Sequence, residues 1–152
     1  MPAHRLNGVQ RVLLALWVGG MWAIGYLAAP VLFASLDSRM QAGAIAGILF
    51  SRLAWFGLVS GVVILGLQWR AGAAGLTRVA LWCVGLMLII TAVGQFGIQP
   101  IMAGLKAQVA PGAQMSGAVR ADFGMWHGIS SSLFLVCSLL GVVALWRTTP
   151  AR

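Results

Sequence analysis

The stretch FGMWHGISSSLFLVCSLLGVVALW, residues 123–146, contains no Asp, Glu, Lys or Arg. A helix rising 1.5 Å per residue needs about 20 mostly apolar residues to cross the hydrocarbon of a bilayer. This stretch meets that requirement, and in lipid its backbone groups must pair within the segment, which selects a helix. Working outward, runs of the same kind occupy residues 12–36, 53–69 and 79–105. The run at 53–69 is the shortest; starting it near Gly43 gives it full length and places Arg52 inside its helix. The expected fold is all-α, a single integral membrane four-helix bundle over residues 1–152. Its spans are expected at about 12–34, 43–69, 79–105 and 122–146.

The composition excludes most other classes. Of 152 residues, 61% are hydrophobic and 8% charged, against about 45–50% and 25% in soluble domains. A fold of this size leaves roughly a third of its unfolded surface in water, too much to hide such a chain. A cytosolic enzyme, a secreted disulfide scaffold and a disordered tail are therefore excluded. The net charge of +8 does not point to nucleic acid, because the Arg and Lys residues are scattered singly rather than clustered in a patch. Cys83 and Cys137 lie within apolar runs without CxxC spacing and read as small buried hydrophobes. No clear internal repeat is visible.

Orientation follows from Lys and Arg near the span ends. Arg5, Arg11, Arg70, Arg78, Arg147 and Arg152 fall on one side, Arg39, Lys106 and Arg120 on the other with Asp37 and Asp122. Six against three places both termini in the cytoplasm. Trp69, Trp82 and Trp146 fall at that same interface, as an aromatic belt requires. The first run exceeds the 7–15 residues of a signal-peptide core and reads as an uncleaved span. The expected location is a cell membrane, the bacterial inner membrane, as a multi-pass protein.

Polar side chains at hydrocarbon depth are the informative ones. Measured from the cytoplasmic span ends, Arg52 lies at ~25 Å, Gln95 at ~24 Å, Gln99 at ~30 Å and His127 at ~28 Å. Tyr26 reaches ~21 Å and Pro30 ~27 Å, with Ser130 and Ser131 slightly beyond His127. Several helices thus place polar groups at one level, while the inner two-thirds reads as almost purely apolar. Gln95 and Gln99 share a helix face, as do His127 and Ser131. Pro30 and Pro100 are expected to open their helices locally. Asp122 is read as an acid starting the fourth helix and, like Asp37, as a partner for Arg52. Each residue also has a plain structural reading: Arg52 snorkelling, the glutamines as interhelical glue, His127 as an interfacial hydrogen-bonding group. The shared depth favours a pocket. Its expected ligand-binding residues are Arg52, Gln95, Gln99, Asp122, His127, Tyr26 and Ser131, shaped by Pro30 and Pro100. His127, Met125 and Met102 are the candidate metal ligands, an imidazole and thioethers that suit copper(I). Close-packing small residues occur as Gly43/Gly47, Gly57/Gly61 and Gly124/Gly128.

The segments GYLAAPVLF (25–33), GAIAGILF (43–50) and FGMWHGIS (123–130) resemble the domain-of-unknown-function 4149 family, which includes transmembrane protein 205. The resemblance covers roughly residues 9–146 and departs from the expected pattern at Phe134, where Asn is expected. It implies a four-helix membrane protein without an established activity. The family is also distantly similar to CopD-like copper-resistance proteins and HemJ-type haem-associated oxidases, so copper and haem stand as alternative cofactors.

The leading expectation is binding of a small molecule or ion in an extracytoplasmic pocket, a binding or transport-type role. A haem- or copper-associated protein and a structural partner of another membrane protein are the alternatives. Without an acid pair or Ser-His-Asp arrangement, the reading leans against an enzyme. The bilayer is the expected environment, no nucleic acid is expected, and a homodimer is left open.

Overall fold

The computed structural model describes residues 3–71, 75–110, 113 and 115–148. Pro111 and Gly112, between the third and fourth apolar runs, and Arg152 of the charge count lie outside the described residues. Six α-helices follow in chain order: α1 Ala3–Trp22, α2 Ala29–Ser35, α3 Arg39–Ala71, α4 Arg78–Ala92, α5 Gln99–Ala107 and α6 Gly117–Trp146. Two π-helical segments, Ala23–Ala28 and Val93–Ile98, join α1 to α2 and α4 to α5 without a break. The result is four continuous helices long and apolar enough to cross a membrane, Arg5–Ser35, Arg39–Arg70, Arg78–Ala107 and Gly117–Trp146, called spans 1 to 4 below.

Local chemistry sets their ends. Ser38 caps span 2, its hydroxyl accepting from Gln41 N–H at 3.3 Å. Thr77 does the same for span 3, accepting from Ala80 N–H at 3.3 Å. Span 4 begins at Gly117, whose φ of +56° suits a residue without a Cβ. That start corrects the reading of Asp122 as the helix's opening acid. Asp122 sits more than a turn inside the helix, whose first turn carries no acidic residue.

The two π segments are one device used twice. Each is six residues long, starts at position 23 or 93, and is followed by proline at Pro30 or Pro100. Proline has no N–H and crowds the preceding turn, so the helix widens before it. The last wide bonds run from Ala29 N–H to Ile24 O and from Gln99 N–H to Gly94 O. The same 70-position shift relates buried residues on the two spans: Gln10 and Ala80, Leu14 and Val84, Trp17 and Met87, all 0–1% exposed. The chain therefore carries an internal repeat of helical hairpins, spans 1–2 and spans 3–4. The sequence hides it because backbone shape and burial recur while side-chain identity does not: AIGYLA stands against VGQFGI.

Packing differs sharply between the two ends. At the end carrying the termini, all four spans share a core of Leu14, Trp17, Met21, Ile64, Val84 and Met87 with Cys137 and Ala144. Glycines open the holes that receive large side chains. A Cβ on Gly57 would collide with the Trp17 indole, and one on Gly141 would meet Val18 Cγ2 at 2.6 Å. Polar ties close this end. Gln10 Nε2 donates to Ile64 O (3.0 Å) and Gln68 Oε1 (3.2 Å), Gln68 Oε1 also accepts from Leu76 N–H (2.8 Å), and Thr77 donates to Arg147 O (2.7 Å). The inner two-thirds expected to be almost purely apolar thus ends in a fully buried glutamine, which the apolar run starting at residue 12 left out. Trp69, Trp82 and Trp146 stand 80–92% exposed around this end.

At the other end, called distal here, the hairpins separate. Span 1 stays against span 2 through α2, and span 3 stays against span 4 through α5. Between the hairpins the extensive packing of α3 on α4 and of α1 on α6 is not continued by α5 or α2. Two clefts result, one between spans 2 and 3 and one between spans 4 and 1.

Candidate functional site

Both clefts are floored at the π level by an aromatic residue from the repeat. In the cleft between spans 4 and 1, Tyr26 lies 6.0 Å from the Phe134 ring and donates its hydroxyl to Ser138 Oγ at 2.8 Å. The Ser138 hydroxyl in turn donates to Leu135 O at 2.9 Å. In the cleft between spans 2 and 3, Phe96 occupies the position matching Tyr26 and meets Trp55 edge-on at 5.7 Å. Beside it Gln95 Nε2 donates to Ser51 Oγ at 3.4 Å. The Gln95 Oε1 acceptor is buried without a partner.

Above the Trp55–Phe96 floor, spans 2 and 3 enclose a laterally open groove of about 370 Å³. Span 2 contributes Ala44, Gly47, Ile48, Ser51, Arg52 and Trp55, spaced as one face of a helix. Span 3 contributes Gln99 and Lys106, seven residues apart and again on one face. Small residues at 44 and 47 leave the room. A Cβ on Gly47 would find the Lys106 ammonium at 3.9 Å, so this lysine reaches across the groove towards span 2. The same ammonium lies 5.7 Å from the Phe123 ring centre on span 4. Phe123 in turn stacks on His127 at 6.0 Å and 7°.

The electrostatics are one-sided. Among the described residues Arg52 makes no ion pair, so neither expected partner, Asp37 or Asp122, reaches it. Both acids are exposed. Two cations with an amide and a hydroxyl converge on one groove with no carboxylate in its lining. This is the donor set that takes an anionic oxygen group.

Of the residues expected to form a pocket, Arg52 and Gln99 line the groove and Gln95 supports it through Ser51. The others do not line it. His127 is exposed, one layer behind Lys106, and Ser131 is exposed on the same helix. Tyr26 serves the opposite cleft. Pro30 and Pro100 are exposed and act through the π turns before them. Met125 and His127 are two positions apart on span 4, a spacing that points them to different sides of a helix. Among the described residues no group of three His, Cys, Asp or Glu side chains could hold a metal. Lys106, Ser51 and Trp55 were missed as site residues. The available signal was the step of seven from Gln99 to Lys106, which a helix returns to one face.

The profile described as Domain of unknown function (DUF4149) matches residues 12–111, well over half of the sequence. The chain belongs to the DUF4149 family. The DUF4149 segment contains both π segments, both helix prolines and every residue lining the groove. The fourth-span phrase around His127 lies beyond it. No curated protein and no solved structure matches the chain.

Proposed function

We propose that this multi-pass membrane protein is a binding protein whose groove between spans 2 and 3 takes the anionic group of a small ligand. The observation that carries the reading is the convergence of Arg52 and Lys106, both without an acidic partner, on one groove with Gln99 and Ser51. A cation held at membrane depth is costly when unpaired, and an anion entering the groove removes that cost. The groove volume of about 370 Å³ falls in the range of small-ligand sites. Binding is favoured over passage, because the Trp55–Phe96 pair closes the groove below and the Trp17 core lies packed beyond it. The excess of Arg at the termini end supports a cytoplasmic position for that end, so the groove faces the extracytoplasmic side, in the bacterial inner membrane.

The test is a thermal-unfolding panel on the purified full chain with anionic, neutral and cationic small molecules and lipids. Anionic members raise the midpoint of the wild type and leave Arg52→Gln and Lys106→Gln unmoved. A panel in which charge makes no difference, or in which both variants respond like the wild type, contradicts the reading.

A further inference from the structure

We infer that the anion is the phosphate of an acidic lipid drawn sideways from the surrounding leaflet, an inference that rests on the anion-binding reading above. Three observations point to the bilayer rather than to water as the source.

The first is vertical order. Measured from the termini end of each span, Trp55 lies at ~21 Å, Arg52 at ~25 Å, Gln99 at ~30 Å and Lys106 at ~40 Å. Hydrocarbon ends at about 30 Å. The groove therefore runs from aromatic, through guanidinium and amide, to ammonium across the hydrocarbon boundary, the same order in which a lipid passes from acyl chain to phosphate.

The second is the open side. Ile48, Trp55 and Phe96 are 60%, 49% and 60% exposed. Val59 and Val62 continue the Trp55 face of span 2, and Val93 and Ile89 the Phe96 face of span 3, all at least 51% exposed. A free small ligand is normally 70–90% enclosed by its site. Here enclosure fails on the side facing hydrocarbon, where acyl chains belong. A ligand already confined to the leaflet also needs less from the pocket, because its local concentration is high.

The third is the matching cleft. Gly61 packs on Trp17 and Leu88, and Gly141 on their counterparts under the 70-position shift, Met87 and Val18, which aligns span 4 with span 2 at a step of 80. On that alignment Arg52 corresponds to Ser132 and Ser51 to Ser131, while Gln99 and Lys106 correspond to Ala29 and Leu36. The second cleft shares the π segment, the proline and the floor ring, yet carries neither of the two cations and no matching amide. A groove merely filled by bulk lipid needs no such difference.

The experiment is native mass spectrometry of the full-length protein equilibrated with phosphatidylglycerol and phosphatidylcholine of identical acyl chains, alongside a thermal-shift arm with soluble glycerol phosphate. The wild type is expected to retain one phosphatidylglycerol per chain with about tenfold preference over phosphatidylcholine, equivalent to ~1.4 kcal/mol. Lys106→Gln, Arg52→Gln and Gly47→Leu, which fills the space beneath the ammonium, abolish that preference. Arg70→Gln and Arg147→Gln at the other end leave it intact. Should Arg52→Gln not fold, the Lys106 and Gly47 variants decide the matter. Equal retention of both lipids, unchanged preference in the groove variants, or equal loss in the Arg70 and Arg147 variants overturns the inference. Stabilisation by glycerol phosphate matching that by phosphatidylglycerol overturns the lipid source and keeps the anion site. If no anionic probe binds, both readings fall.

Discussion

The two clefts of this bundle are made from the same parts and differ in chemistry. Each sits between the paired hairpins, each follows a six-residue π segment and a proline, and each is floored by the ring at the matching position, Phe96 or Tyr26. One is lined by Arg52, Gln99, Ser51 and Lys106. The other holds Phe134 over Gly25 so closely that Gly25 could not carry a Cβ, and ties Tyr26 to Ser138. The difference separates scaffold from function. The π–proline device parts the hairpins wherever it occurs, so it explains the opening and not the charge. The unpaired cations are an addition to one side alone.

The comparison can be broken first at the level of packing. Gly57→Leu drives a side chain into the Trp17 indole and is expected to cost upward of about 1–3 kcal/mol, enough to prevent folding of a marginal bundle. Gly47→Leu, at the charged cleft, is expected to stay within ~0.5 kcal/mol, since only the flexible Lys106 head is near. Unfolding titrations in mixed micelles measure both; equal costs would mean that the distal half is as tightly closed as the core.

A second contrast uses two tryptophans. Trp17 is 1% exposed at the centre of the core and Trp55 is 49% exposed at the cleft floor. Trp17→Ala is expected to cost about 3 kcal/mol through the cavity it leaves, and Trp55→Ala less than ~1 kcal/mol. A reversed order in the same titrations would place the structural centre of the molecule at the cleft.

The smallest effects are the sharpest for function. Tyr26→Phe removes one interhelical hydrogen bond and is expected to lower stability by about 0.6 kcal/mol, the usual worth of such bonds in membranes. Arg52→Gln, in the absence of any anion, is expected to lower stability by no more than ~0.5 kcal/mol or to raise it, because no protein group depends on the cation and its unpaired charge is a cost. A loss of several kcal/mol in Arg52→Gln, read by thermal unfolding, would reveal a structural ion pair and remove the argument for a vacant donor set.

The fold was legible in the sequence because lipid leaves a backbone few options: four apolar runs give four helices. The lengths were less so. Span 2 runs back to Arg39 and span 1 starts well before residue 12, since helices continue into the headgroups where apolar runs have ended. Shared depth brought Arg52 and Gln99 to one groove, with Gln95 at its wall. Depth says nothing about azimuth, however, and that is why Tyr26 and Ser131 fell elsewhere and His127 one layer back. Lys106 was read only as a topology-setting charge, because a long side chain's reach across a gap over glycine depends on how far two helices diverge. The hairpin repeat was invisible for a related reason. π segments are set by proline and strain rather than by a residue pattern. The glycine pairs sorted themselves only in three dimensions: Gly57 and Gly61 seat Trp17, while Gly124 and Gly128 have nothing within 4 Å.

The most direct measurement compares the two clefts with charged thiol reagents. Ile48→Cys in the groove and Met125→Cys on span 4 are exposed positions at the same depth, and the native Cys83 and Cys137 are buried and silent. Labelling rates with a negatively and a positively charged methanethiosulfonate are taken at each position. At Ile48→Cys the anionic reagent is predicted to be favoured by about tenfold over its ratio at Met125→Cys, as a cleft lined by one sign of charge enriches the opposite ion. The preference is predicted to vanish when Lys106→Gln and Arg52→Gln are added. The same ratio at both positions would contradict the account.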